Sequence, residues 1–465
     1  MCRKSYIVIT FYILIAVPYL VASSKPEVPK VCLNFPQWLE NLRKLQFPNC
    51  PSDVGNKTNS IYVLYDVNPP EGFNLRRDVY IRLAVFVRKL QRKPGYENVR
   101  LVLPPWKRLY HWRSHHIAQD QLPWNHFFDI ESLRRYAPVL DYSEFVDEIE
   151  QLGLGPKRLV PVHKILLLKH FKDMFENGVF KDKWEFGGDC DEGKEAIYGS
   201  FLRHIPILLK NRTVQCVSFQ GSANLLGQVI QRTWRSLTDD GLPKIIAFLN
   251  AEVVLHDHWA DREFWRARRS MRFAENLVEI ADSFRLRNFA SRNEEELVQR
   301  PPMWEYESSK HKGKALGGPY LCVHLRRGDF IYGRETTTPS LKSSALQVKY
   351  HLLNHNLSTV FLATDATAFE IKNFKSYIPR HRVVRFATED LEQKSRIKDG
   401  GIAIVDQLIC SHAHYFVGTY ESTFTYRIYE EREILGFPKE RTFNTLCKKS
   451  TMENCTQNSV WPIVY

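Results

Sequence analysis

The sequence predicts an α/β fold of two domains facing a shared cleft, on three observations. Residues 60–103 read strand, loop, helix, strand, a unit that calls for a parallel sheet. The same strand–loop–helix rhythm returns between residues 319 and 433. In both halves the chemically distinctive residues fall just beyond the carboxyl end of a strand, where parallel sheets hold their ligands.

Taken in order, Ser60–Val67 is a strand pattern ending in the turn Asn68-Pro69-Pro70-Glu71-Gly72-Phe73. Asn74 is placed to cap a helix whose apolar residues Val79, Leu83, Phe86, Val87 and Leu90 recur at helical spacing. Val99–Leu103 is the next strand, closed by Pro104-Pro105-Trp106. Residues 106–130, rich in Trp, His and Arg without a period, read as a loop region beside a cleft. A helix is predicted from Val160 to Phe175, irregular chain over 177–194, and a strand from Thr213 to Gln220. A long helix from about Arg262 to Phe289 carries Arg262, Arg266, Arg269 and Arg272, which reads as a solvated basic face. The polar stretch Pro301–Gly318 leads into the strand around Tyr320–Leu325. Helix Leu341–Leu353, strands Thr359–Ala363 and Val383–Phe386, helix Gly401–Cys410 and strand Tyr415–Val417 follow. Glu421-Ser422-Thr423 then open a helix that runs through Glu433. The predicted division is a leader over 1–22, a first domain over 23–258 and a second over 259–465.

With 44% hydrophobic and 25% charged side chains in 465 residues, the chain is globular rather than disordered. Its net charge of +13 points to an acidic ligand. The basic residues are spread along the chain, which argues against a dedicated nucleic-acid arm. Arg3 and Lys4, the apolar run Tyr6–Val21 and the small residues Ala22-Ser23-Ser24 read as a secretory signal peptide, with no membrane span left after cleavage. Loss of Cys2 leaves eight of nine cysteines, an even number suited to an oxidising compartment. Cys447 and Cys455 are candidates to close a short loop, Cys190 and Cys216 a longer one, and Cys32 and Cys50 to pair near the mature N-terminus. Cys322 and Cys410 lie inside apolar patterns and read as free buried thiols. Sequons at Asn56, Asn211, Asn356 and Asn454 agree with a secretory protein.

The stretch Tyr320–Phe330 delivers His324, Arg326, Arg327 and Asp329 within a few residues of a core strand. Charges so placed either pair with one another or face a cleft and bind a dianion. Ser422-Thr423-Phe424 opens a helix whose free N–H groups suit a phosphate, unless Ser422 or Thr423 simply caps them. Asp406, in the apolar segment Ala403–Gln407, is either satisfied structurally or accepts paired donors such as those of guanine. Glu71, fixed between two prolines and a glycine, is the candidate general base. Asp189-Cys190-Asp191 and His256-Asp257-His258 imitate metal sites. The first is a short pattern centred on a disulfide candidate and the second lacks a third spaced ligand, so no metal is expected.

The run Asp66 to Asp78, the motif His324-Leu325-Arg326-Arg327 with Asp329 and Phe330, and Ser422-Thr423-Phe424 followed by Arg427 and Glu430–Glu433 resemble the protein O-fucosyltransferase family, of the type that acts on thrombospondin repeats. Shorter matches at Leu103–Trp106, Arg268–Met271 and Ala403–Cys410 extend the resemblance over nearly the whole mature chain, with Gly328 where the pattern leads one to expect Lys. The resemblance implies a GT-B glycosyltransferase fold: two Rossmann-like domains, the second holding most of the donor. It implies inverting, metal-independent transfer of fucose from GDP-fucose, with no cofactor, to Ser or Thr hydroxyls of folded thrombospondin type 1 repeats. It further implies a soluble monomer in the endoplasmic reticulum lumen. Carried over, Glu71 is the base, and Pro70, Gly72, Phe73 and Asn74 line the donor site. His324, Leu325 and Arg326 contact the nucleotide sugar, with Arg326 stabilising the leaving GDP. Asp406 meets guanine, Thr423 and Phe424 the phosphates or base, and Glu431 is a further residue needed for activity. The rival readings are a fucosyltransferase for EGF-like repeats and a non-catalytic quality-control binder of such repeats.

Overall fold

Residues Ile61–Tyr65 (β1) are buried at every position, the condition of a parallel strand covered on both faces. The computed structural model describes residues 60–151, 164–190, 196–197, 199–204, 214–235, 243–386, 390–448 and 461–465. The predicted leader, Cys32, Cys50, Cys455 and the sequons Asn56, Asn211 and Asn454 lie outside these residues. β1 is followed by helix α1 (Phe73–Leu90), β2 (Val99–Leu103), β3 (Val139–Asp141) and α2 (Tyr142–Gln151). Then come β4 (Lys164–Lys169), a hairpin of β5 (Phe175–Glu176) and β6 (Val179–Phe180), β7 (Lys183–Asp189), β8 (Val214–Gln220), α3 (Leu226–Arg235) and β9 (Lys244–Leu249). They form a seven-stranded sheet in the order β3-β2-β1-β9-β4-β8-β7. Its pairings are parallel except β7 against β8, and β1 is an inner strand, with Val63 level with Leu101 and Ile246.

Helices α4 (Arg262–Ser270) and α5 (Glu275–Phe289) lead to the second sheet. Its elements are β10 (Gly318–Leu325), α6 (Leu341–Asn354), β11 (Thr359–Thr364), α7 (Ala368–Ser376), β12 (Arg382–Val384), α8 (Leu391–Ser411), β13 (Ala413–Val417) and α9 (Thr423–Leu435). The order is β12-β11-β10-β13, all parallel. The carboxyl ends of β1 and β10 therefore supply the two halves of the candidate site. Among the described residues no helix is long and apolar enough to cross a membrane.

Four local expectations are corrected. The apolar run Ile165–Leu168 is not helical but is the inner strand β4, and 177–194 contains β6 and β7; a short apolar run has no period that separates helix from strand. Asn74 does not cap α1: Gly72 is the cap residue, and the Asn74 side chain accepts hydrogen bonds from Arg77 and Gln407 at 3.2 and 2.8 Å. The 262–289 segment is two helices, and its arginines are not all solvated. Arg268 is fully buried against Glu430 and Glu431, at 2.7 and 2.9 Å, and buried Arg269 donates to the carbonyls of Trp304 and Glu307. The acidic run on α9 meets this charge, a long-range pairing that the spacing of one helix does not reveal. Lastly, Cys322 and Cys410 are not free thiols. They form a disulfide joining β10 to α8, alongside the expected Cys190–Cys216 bridge. Cys447 is also disulfide-bonded.

Candidate active site

The chain leaves β1 at Asp66, a buried carboxylate that organises the next turn. Asp66 Oδ1 accepts from the Val67 N–H and from Arg76 Nη1, at 2.7 and 3.0 Å, and Oδ2 from the Phe201 N–H at 2.9 Å and Lys107 at 3.2 Å. Arg76, one turn into α1, reaches back over the loop. Its guanidinium donates to the carbonyls of Val67, Asn68 and Glu71 at 2.9, 2.9 and 3.1 Å. A five-donor fork suits this task because it can satisfy several carbonyls and a carboxylate at once. The Asn68 N–H is held by Glu252 at 3.1 Å. Thus Glu71 is half-buried on a fixed turn, and among the described residues no cation pairs with its carboxylate. Pro70 is exposed beside it. The cap residue Gly72 has no side chain to take up the first-turn N–H groups of α1. A cavity of about 250 Å³ opens beside the loop, bordered by Asn68, Pro69, Ser200 and Asn250.

The opposite wall comes from β10. His324 is buried, its Nδ1 lies 2.7 Å from Thr425 Oγ1, and its ring stacks on Phe424 with centroids 4.4 Å apart. Burial, and then the charge of Arg326, push its pKa down to about 3, so the imidazole is neutral. Arg326 is fixed at both ends: its N–H donates to Thr419 Oγ1 at 2.9 Å, and its guanidinium pairs with Asp365 at 2.7 Å and with Asp329. Arg327 points away, to Glu370 at 3.0 Å and the Pro339 carbonyl, so it belongs to the supporting network. Thr423 is exposed at the start of α9, and neither it nor Ser422 makes a side-chain cap bond, which leaves that helix end open. Asp406, on α8, has a buried Oδ1 without a hydrogen-bond partner among the described residues, and burial, offset only in part by Arg385, raises its pKa to about 8. An unpartnered acceptor of this kind is waiting for a donor.

Other expected residues lie elsewhere. The ring of Phe73 is in the aromatic core, 4.8 Å from Trp106 and 5.4 Å from Phe127, and Leu325 is also a core side chain, so each can offer a ligand only its backbone. Glu431 is buried away from the loop, with Oε1 on Arg300 at 2.6 Å and Oε2 on Arg268. Burial opposes its charge, but Arg300 and Arg268 prevail and hold its pKa down at about 2. His256 bonds Asp78 at 3.2 Å, and no group of three potential metal ligands occurs among the described residues. Asn356 is exposed in a turn.

Sequence reasoning missed Arg76, Thr419, Asp365 and Asp399. Asp399, within α8, accepts from the N–H and hydroxyl of Ser114 at 2.9 and 2.6 Å and from Gln119 at 3.2 Å, while its own N–H donates to Gln119. These bonds tie the 106–122 loop of the first half to the second. The one signal available was the unexplained density of Trp, His and Arg in that loop.

Residues 62–435 match the family model described as GDP-fucose protein O-fucosyltransferase. The chain is 52% identical over 422 residues to the Drosophila melanogaster GDP-fucose protein O-fucosyltransferase 2, covering 90% of this chain and 85% of that protein. It is 39% identical over 410 residues to the Homo sapiens protein of the same name, covering 87% and 90%. In fold it is similar to the crystal structure of POFUT1 in complex with GDP-fucose, with a TM-score of 0.53 at 15% identity over 85% of this chain and 99% of that one. The chain therefore belongs to the GDP-fucose protein O-fucosyltransferase family.

Proposed function

We propose that this protein, a fucosyltransferase by family, moves fucose from GDP-fucose to a Ser or Thr hydroxyl of folded thrombospondin type 1 repeats, with inversion and without a metal. The observation that carries the reading is a carboxylate with no cation partner among the described residues, set opposite a guanidinium already held in place. Glu71 sits on a turn locked by Arg76 and Asp66, and Arg326 is fixed opposite by Asp365, Asp329 and Thr419.

Breaking the anomeric C–O bond gathers negative charge on the β-phosphate, and a held guanidinium favours that state over the ground state. The uncapped start of α9 adds N–H groups for the phosphates, and the two together take the place a divalent ion has in other glycosyltransferases. Asp406 accepts from the N1–H and 2-amino group of guanine, which relieves its lone acceptor. Neutral His324 contributes a hydrogen bond without adding charge. Glu71 removes the acceptor proton from the face opposite GDP, directly or through one water, and a single displacement from that face inverts the anomeric centre. The two halves act as domains over 23–258 and 259–465, the first presenting the acceptor side. The leader and sequons support a place of work in the endoplasmic reticulum lumen, and a soluble monomer is the form proposed.

The test is mass spectrometry of a folded thrombospondin type 1 repeat after incubation with the protein and GDP-fucose in chelator. A gain of one fucose is expected. Transfer only to an EGF-like repeat would move the protein to the sister activity. Binding of the repeat without release of GDP would make it a quality-control binder.

A further inference from the structure

The 106–122 loop is closed at its base by reciprocal backbone bonds between Trp106 and Leu122, both 2.8 Å. It is anchored in the core by Trp112, 5.8 Å from Phe127, and in the second half by Ser114 and Gln119 on Asp399. Between those anchors His111 is carried into the gap between the two catalytic walls. Its Nδ1 lies 3.3 Å from Arg326 Nη2. Its other edge lies against Gly72, where an added Cβ would come within 3.1 Å of Cδ2 and 3.3 Å of Nε2. One imidazole therefore spans from the base-bearing turn to the cation opposite, and Gly72 lacks a side chain where that ring needs room.

Building on the functional reading above, we propose that His111 is a positioning residue that sets the guanidinium of Arg326 for the diphosphate of the donor. A guanidinium only donates hydrogen bonds, so the contact requires Nδ1 to accept and fixes the proton on Nε2, facing Gly72. Partial desolvation at the cleft mouth, and then the charge of Arg326, lower the pKa of His111 and favour the neutral ring. Asp365 and Asp329 hold Nη1 and Nη2 from one side, and His111 supplies the contact from the first half of the molecule. The arrangement is one in which a residue of the acceptor-side half controls the anion-binding geometry of the donor-side half.

The test uses the full-length protein with His111→Ala and His111→Asn, and calorimetric titration with GDP and with guanosine. The Asn amide oxygen can replace Nδ1 as acceptor, whereas Ala cannot. His111→Ala is expected to weaken GDP about tenfold, the size of one hydrogen bond to a charged group, with guanosine affinity unchanged and His111→Asn within threefold of wild type. Equal losses for GDP and guanosine, an Asn variant no better than Ala, or no loss in either variant would overturn the proposal. His111 is exposed, so both variants should unfold at the wild-type temperature. A wild-type protein that binds GDP but transfers no fucose would sink the functional reading and leave this test standing.

Discussion

Arg76 Nη1 and Asp66 Oδ1 lie 3.0 Å apart, both buried, and this pair holds the turn that carries Glu71. The same guanidinium bonds three successive stretches of the turn's backbone, so it sets shape as well as charge.

Arg76→Lys keeps a charge for Asp66 but loses the fork. It should stay folded and lower kcat about 10- to 100-fold, since a base displaced by an ångström loses rate on that order. Arg76→Met leaves Asp66 with Lys107 and the N–H groups of Val67 and Phe201, and should cost about 1–3 kcal/mol. Steady-state kinetics and urea unfolding separate the two effects.

Glu71→Ala and Arg326→Ala should each abolish most transfer with little change in melting temperature. Glu71 has no cation partner among the described residues, and the carboxylates that Arg326 releases, Asp329 and Asp365, are 46% and 22% exposed. The loss for Glu71→Ala should be about 10²–10⁴ in kcat with GDP affinity retained. Near-normal transfer by purified Glu71→Ala would remove it from the base role.

Glu431→Gln tests whether that residue acts through structure. Its folded pKa, held at about 2, is below the unfolded carboxylate value. Its contribution is therefore complete above the unfolded value near 4.3 and lost as pH falls toward 2, a total of about 3 kcal/mol. The Gln variant should be less stable at pH 7, and the gap to wild type should close on acidification in pH-dependent unfolding. Its residual activity should follow the folded fraction; a fully folded but inactive Glu431→Gln would show a direct role.

Asp406 titrates the other way. With its folded pKa raised to about 8, wild type is penalised as pH climbs from the unfolded value toward 8. Unliganded Asp406→Asn should therefore be more stable than wild type at pH 8, with the difference shrinking toward pH 4. Nucleotide binding near pH 7 should release a proton from wild type and none from the Asn variant, measured by calorimetry in buffers of different ionisation enthalpy.

Non-reducing peptide mapping should recover Cys322–Cys410 as a linked pair. Cys410→Ser should lower stability by about 2–5 kcal/mol, as loss of a native disulfide that closes a long loop usually does. A free-thiol count that includes both residues would restore the sequence expectation.

Most of the second half was legible because its strands are flanked by clear turns and its helices are periodic, as at Leu341–Asn354 and Thr359–Thr364. The first half was harder. Lys244–Leu249, an inner strand beside β1, has no alternation because both of its faces are covered, and Ile165–Leu168 reads as helix in the sequence for the same reason. At the candidate site, residues whose chemistry shows in local sequence can be named as candidates from the sequence alone: Glu71, His324, Arg326, Asp406. Those that act through distant partners were not. Asp365 is unremarkable until it is seen against Arg326, and Arg269 looks solvent-facing until the carbonyls of Trp304 and Glu307 are brought onto it.

The bonds from Asp399 to Ser114 and Gln119 have a consequence for how an acceptor is chosen. These four bonds hold the 106–122 loop against α8, and a site whose two sides are joined in this way favours an acceptor that already fits it. An acceptor already folded to fit gives up little freedom on arrival, whereas a loose peptide of the same sequence must be ordered at the enzyme's expense. On the function proposed above, quality of folding in the acceptor would thereby be read as affinity.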